Sequence, residues 1–296
     1  MSTVRIMLTM KQIIRSSNIH GIAIHLCRSV AASPLPMGER MLNAAPLLDP
    51  AVDPDPVELC NSGGQTPLLL VCEHAGQAVP QRLGRLGLNP GEIDLHIGWD
   101  VGAAAVTRAM ALTIDCPAVL QRYSRLVIDC NRPLGAVDSV LGVSDGVPIP
   151  VNVSLSAQDR HQREEAIFAP FDLAVIRART ARTRMILAIH SFTPRLAVNG
   201  IDRPWHLGFL FRKDSATSAR LATTIAELRS DLIIGMNQPY KVEEASDWFV
   251  PRHGEGSGLP HSLIEIRHDL IRDVAGQQAM ADLLSSAIRS CLEIPC

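Results

Sequence analysis

Two histidines stand where apolar runs end. His74 follows LLLVC in the stretch LLLVCEHAGQAVP, and His190 closes MILAIH at 185–190. Imidazoles leaving separate parallel strands at one edge of a sheet can converge on a metal ion, and zinc then accepts a carboxylate while keeping a fourth position for water. Asp100, in HIGWDVGAA, and Glu73, beside His74, are the candidate carboxylates. The chain has no HExxH-type pair, so spacing alone is a weak signal. A single strand-end histidine is more often a hydrogen-bonded structural residue. The two together, with a carboxylate at hand, point toward a metal.

Glu265 lies inside the otherwise apolar run SLIEIR at 262–267. A buried glutamate without a partner is costly, which leaves two readings open. It pairs with Arg267, Arg125 or Arg132 and is structural, or it is the desolvated general base of a hydrolytic metal site. The segment RYSRLVIDCNRP, from Arg122 to Pro133, is rich in anion-binding groups. The planar forks of Arg125 and Arg132 suit bidentate recognition of a carboxylate, with the amide of Asn131 next to the second. The bland alternative is that Asp129 pairs with one arginine to fix the turn before Pro133.

Other residues carry less. Cys72 precedes His74 by two positions, but strand cysteines are usually buried packing and a reactive thiol needs an accessible, electropositive setting. GEGSG at 254–258 has no preceding strand and no Lys-Ser/Thr pair, so it is not a phosphate loop; a flexible loop or lid is expected. His161, among charged neighbours, reads as a solvated helix face.

These residues need a frame that brings them together. Strands are predicted at 68–72, 118–121, 125–130, 185–190, 207–211, 231–236 and 262–267, and helices at 92–112, 156–181, 214–229 and 275–292. Strand and helix alternate, which implies an α/β fold with a mainly parallel, mixed twisted sheet and helices on both faces. Ligands of such sheets bind beyond the carboxyl ends of the strands, where His74, His190, Asn131, Arg132 and Glu265 fall.

Composition sets bounds. Hydrophobic residues make up 47% and charged residues 20% of 296, with a net charge of -2. That is a soluble globular composition without a nucleic-acid footprint. No apolar run reaches membrane-span length. Seven scattered cysteines without a Cys-x-x-Cys pair fit reduced thiols and a cytoplasmic setting. Residues 1–46, rich in cations and Ser/Ala near the start, are expected to form an N-terminal extension, with Met41 an alternative start. Residues 47–296 are expected to form the catalytic domain, entered through the Pro/Asp-rich linker DPAVDPDPVE.

From about Leu47 to about Ile288 the chain resembles the N-formylglutamate amidohydrolase family. The motifs CEHAGQAVP, HIGWDVGA, YSRLVIDCNRP, SDGVPIPVN, IHSFTP, RPWHLGFLF, NQPY and IEIRHDL carry the likeness. The family looks like a branch of the zinc carboxypeptidase and aspartoacylase group, with a zinc-exopeptidase or phosphorylase/hydrolase-like fold. The resemblance implies zinc held by His74 and His190, Asn131 and Arg132 on the substrate carboxylate, and Glu265 as base. The group's usual glutamate three residues after the first histidine is Gln77 here, so Asp100 or Glu73 must stand in. Asp100 is preferred, because Glu73 would need a sharp turn to share a metal with its neighbour. The implied reaction is hydrolysis of N-formyl-L-glutamate or a similar N-acyl amino acid, with Arg125 meeting the side-chain carboxylate or the developing oxyanion. The implied partner is a small acidic N-acyl amino acid, with no nucleic acid or membrane partner. A metallo-amidase or peptidase on another carboxylate-bearing amide, and a non-catalytic sensor of an acidic metabolite, are the alternatives.

Overall fold

The computed structural model describes residues 45–293, so the expected extension over 1–46 lies outside the described residues except for its last two. Strands β1 (Val57–Cys60), β2 (Leu68–Cys72), β3 (Ala118–Gln121), β6 (Met185–Phe192), β7 (Leu207–Leu210), β8 (Ile234–Met236) and β9 (His261–Arg267) form one sheet in the order β1-β3-β2-β6-β9-β7-β8. A separate hairpin joins β4 (Val143–Ser144) to β5 (Val147–Pro148). β3, β2, β6 and β9 run parallel to one another. β1 is antiparallel to β3, β7 is antiparallel to β9, and β8 is parallel to β7. The fold is a mixed, mostly parallel α/β sheet.

Helices α1 (Ala103–Ile114), α2 (Pro150–Val153), α3 (Ala157–Arg163), α4 (Ala169–Ala178), α5 (Ser215–Leu228) and α6 (Val274–Glu293) complete the elements. Alternate residues of β2 serve opposite faces. Leu68, Leu70 and Cys72 pack with Met110 of α1, Leu221 of α5 and Leu284 of α6, while Leu69 and Val71 pack with Phe171 and Val175 of α4. Both faces are covered, which is why the run is continuously apolar. Each leucine buried this way stabilises the fold by about 1.5–3 kcal/mol.

Strand parity aims the polar residues. In β6, Leu187 and Ile189 face the α1/α5/α6 layer, so His190 faces the other side; in β9, Ile264 and Ile266 do the same, so Glu265 also faces the other side. The register pairs His190 with Glu265 directly. On the far flank Glu265 opposes Gly208. A Cβ there would sit 1.9 Å from the Gln238 carbonyl oxygen, so only glycine lets that chain pass so close to the site.

Several sequence expectations change. The run 125–130 is not a strand: its side chains Leu126, Val127, Ile128 and Cys130 are buried, but the backbone turns, with Val127 N–H bonding Ser124 O and Leu126 N–H bonding Ser124 Oγ. A buried apolar run in a turn mimics a buried strand in sequence. The helix expected over 92–112 starts only at Ala103, because Gly102 at φ +82 and the tight approach of Gly98 to Ile93 O break the preceding stretch into turns. Only Ile234–Met236 of 231–236 is a strand, and the tail of the expected linker enters β1 at Val57. The helix expected over 156–181 is realised as α3, a wide turn at Glu164–Phe168, and α4. GEGSG lies in helical turns rather than an irregular loop: Phe249–Gly254 and Glu255–Ser257 form them, and Glu255 pairs with Arg212 and Lys213. His161 is exposed beside Glu165 as expected. Cys72 is buried, and burial pushes its thiol well above the usual range. Among the described residues no helix is long and apolar enough to cross a membrane.

Candidate metal centre

At the carboxyl end of β2 the chain turns sharply, and Gly76 makes the turn fit. A Cβ at Gly76 would lie 1.9 Å from Arg122 O. The loop carrying Asp100 docks on this turn, Asp100 N–H bonding His74 O at 3.0 Å. Side chains from β2, β6 and the 98–102 loop thereby meet. Asp100 Oδ2 lies 3.0 Å from His190 Nδ1 and 3.5 Å from His74 Nδ1, and accepts the Ser191 N–H at 3.0 Å. The two imidazoles pack edge to face at 4.7 Å. One ligand atom each from His74, Asp100 and His190 falls within 4.8 Å of the others, and all three residues are buried.

The outward nitrogens have their own partners. His74 Nε2 bonds Asp129 Oδ1 at 2.7 Å, and His190 Nε2 bonds Glu73 Oε2 at 2.8 Å. Such carboxylates behind histidine ligands fix the tautomer, orient the ring and raise its basicity. Glu73, the alternative acid, thus sits on the outer side of His190. Asp129 does more than hold a turn: it joins His74 to Arg125, whose guanidinium donates to Asp129 Oδ2 at 2.7 Å and reaches Asp100 Oδ1 at 3.4 Å.

A divalent cation suits these residues. Glu73, Asp100, Asp129 and Glu265 are each at most 5% exposed. Arg125 contacts Asp100 and Asp129, and Glu73 pairs with His190. Burial opposes ionisation of Asp100, yet His74 and His190 hold its carboxyl below the usual range. Burial likewise opposes charging of His190, yet hydrogen bonds donated to Asp100 and Glu73 push the imidazole well above its ordinary value. Asp100 and Glu73 thus favour positive charge at this edge. His74 Nδ1 is buried without a hydrogen-bond partner among the described residues. A cation between these atoms answers both observations.

Glu265 stands beside this edge with Oε2 buried and unpartnered among the described residues. Burial raises its carboxyl to about 7. No ion pair ties it to Arg267, which instead bonds Asp269 at 2.8 Å. A cavity of about 430 Å³ opens over these groups and is also lined by Arg125, Arg132, Tyr240 and Lys241. Arg132 is oriented by Asp138, at 2.9 Å from its Nε. Asn131 reaches the cavity wall, but its amide oxygen accepts from Trp248 and Phe249 N–H at 3.2 and 2.8 Å. It ties the 247–249 segment to the turn that carries Asn131. Lys241 and Tyr240 were not singled out from sequence; NQPY was the only signal near them, and it lacks a chemical pattern of its own.

Replacing Glu73 by glutamine keeps the shape but removes the carboxylate behind His190. We expect zinc affinity to drop about 10–100-fold with little change in melting temperature, measured by competition against a chelating dye. Unchanged affinity would reduce Glu73 to a packing residue.

Fold and site together define an α/β protein with a hydrolase-type polar centre at its parallel strand ends. The chain belongs to the N-formylglutamate amidohydrolase family, whose profile matches residues 66–272, and is therefore an amidohydrolase by class. A crystal structure of a gene product from Agrobacterium tumefaciens is similar at 33% identity and TM-score 0.77, covering 83% of this chain and 100% of that one. That of N-formylglutamate amidohydrolase from Ralstonia eutropha JMP134 is similar at 16% identity and TM-score 0.65, covering 81% and 98%; at that identity it shows the fold. No curated protein sequence matches the chain.

Proposed function

We propose that the protein hydrolyses the amide bond of N-formyl-L-glutamate or a similar N-acyl amino acid, with zinc held by His74, Asp100 and His190. The observation that carries this reading is the convergence of both Nδ1 atoms on Asp100 Oδ2, each ring backed by its own buried carboxylate. Bound there, zinc would supply Lewis acidity, polarising the scissile carbonyl and easing deprotonation of water. Glu265 takes the proton of the attacking water and returns it to the leaving nitrogen. Its raised pKa suits that exchange, and a dication close by would draw it down toward the proton-accepting range. Arg125, held by Asp100 and Asp129, faces the carbonyl oxygen as negative charge develops, or a side-chain carboxylate. Arg132 receives the α-carboxylate, and Asn131 holds the cavity wall beside it.

Arg132→Lys tests the substrate class. Lysine cannot reproduce the planar fork, so kcat/KM for N-formyl-L-glutamate should fall by roughly 30-fold or more. The loss should vanish for the α-carboxamide analogue, which forms no ion pair with either protein. Wild-type protein that cleaves acid and carboxamide equally well would refute a carboxylate-reading site. Release of formate and of other small acids from a panel of N-acyl amino acids identifies the preferred compound.

A further inference from the structure

Two cavities meet at Asp100, one of the candidate metal ligands. Besides the cavity of about 430 Å³, a second of about 230 Å³ opens on the same four residues, Asp100, Arg125, Ser191 and Tyr240. Their charges differ. Beyond these four, the larger carries Arg132 and Lys241 with Asp247 and Glu265, whereas the smaller carries Asp129, Asp138 and Asp145 with His96. Two cations that are not shared favour a substrate carboxylate in the first, and the three acids of the second disfavour it there.

We propose that the second chamber receives the acyl half of the substrate, and that this acyl group is a chain of several carbons rather than formyl. The inference rests on the N-acyl amino acid reading above. With the carboxylate half in the larger cavity and the amide at the shared edge, the acyl substituent must point into the smaller one. Formyl presents only a hydrogen there. The chamber instead holds roughly seven or eight times the ~30 Å³ that one water occupies in the liquid. Its mixed lining includes the apolar side chains of Leu141, Leu196 and Val198. This lining is built rather than loose. At the tip of the β4–β5 hairpin, the Asp145 carboxylate is only 5% exposed, and it accepts the Ala197 and Val198 N–H groups at 2.9 Å each while pairing with His96 at 3.1 Å. A buried carboxylate thus clamps the hairpin to the loop after β6 beside the chamber.

The test compares N-formyl-, N-acetyl-, N-butanoyl- and N-hexanoyl-L-glutamate with the zinc-loaded full chain, and measures their binding to the metal-free full chain by calorimetry. Each buried methylene adds to affinity, so N-hexanoyl-L-glutamate should bind roughly tenfold or more tightly than the formyl compound, and kcat/KM should rise with chain length. Leu196→Trp, which fills the chamber, should lower the hexanoyl-to-formyl ratio of kcat/KM by roughly tenfold or more. Leu141→Trp, at a position 36% exposed, gives the same readout if the first variant does not fold. A wild-type preference for formyl over every longer chain overturns the inference, as does an unchanged ratio in folded variants. If no N-acyl glutamate is hydrolysed, the proposed reaction falls. The calorimetry then decides the chamber separately: tighter binding of the hexanoyl compound upholds it and equal binding overturns it.

Discussion

Replacing Glu265 by glutamine is expected to lower kcat by about 10²–10⁴, the usual worth of general acid–base catalysis, while zinc content and melting temperature hold. The substitution keeps shape and volume, so packing against His190 and Gly208 is preserved. It removes a charge whose Oε2 has no partner among the described residues. An unpaired buried carboxylate contributes no ion-pair stability, so neutralising it should leave the fold as stable or more so. A structural ion pair would behave in the opposite way, with stability lost and turnover kept. Steady-state kinetics and calorimetric melting on the same preparation separate the two, and a rate within a few-fold of wild type would remove Glu265 from the mechanism.

Asp100→Asn should have the other large effect, and it should act through the metal. Asp100 is the acid facing both Nδ1 atoms, and its Oδ2 also accepts the Ser191 N–H. The amide retains size but loses the charge that a dication needs. It also breaks the balance with Arg125, which loses one of its two carboxylate contacts. Zinc affinity should therefore fall by more than the roughly 10–100-fold expected for loss of a carboxylate behind a ligand, and activity should fall in parallel unless zinc is in large excess. Metal analysis after gel filtration reads the loss directly. An Asp100→Asn protein that keeps zinc as tightly as Glu73→Gln would exclude Asp100 from the coordinating set.

The sheet was legible where burial is complete on both faces. LLLVC and MILAIH leave no polar position until the residue that points into the site, so strand, strand end and functional side chain are read together. The apolar run at 125–130 carries the same signal and is a turn, because Ser124 accepts the Leu126 and Val127 N–H groups locally. Periodicity cannot distinguish a buried turn from a buried strand. The tightly packed glycines at 98 and 102 broke the expected helix for a reason that lies in their neighbours, Ile93 and Ile271. At the site, His74, His190, Asp100 and Glu265 could be nominated from residue type and strand-end position. The roles of Glu73 and Asp129 could not, since which imidazole nitrogen each carboxylate meets depends on side-chain rotation and on contacts spanning 117 and 55 residues. Asn131 was similarly opaque, because its amide oxygen answers backbone groups of Trp248 and Phe249, far along the chain.

The most direct test of a zinc-dependent amidohydrolase site is a metal titration. Full-length protein is stripped with a chelator, zinc is added back in fractions of an equivalent, and release of free glutamate from N-acyl-L-glutamates is followed at each step. The arrangement of His74, Asp100 and His190 predicts negligible release from stripped protein, a linear rise with added zinc, and saturation at one equivalent per chain. Full activity in the stripped protein, or no glutamate released at zinc saturation, would contradict it.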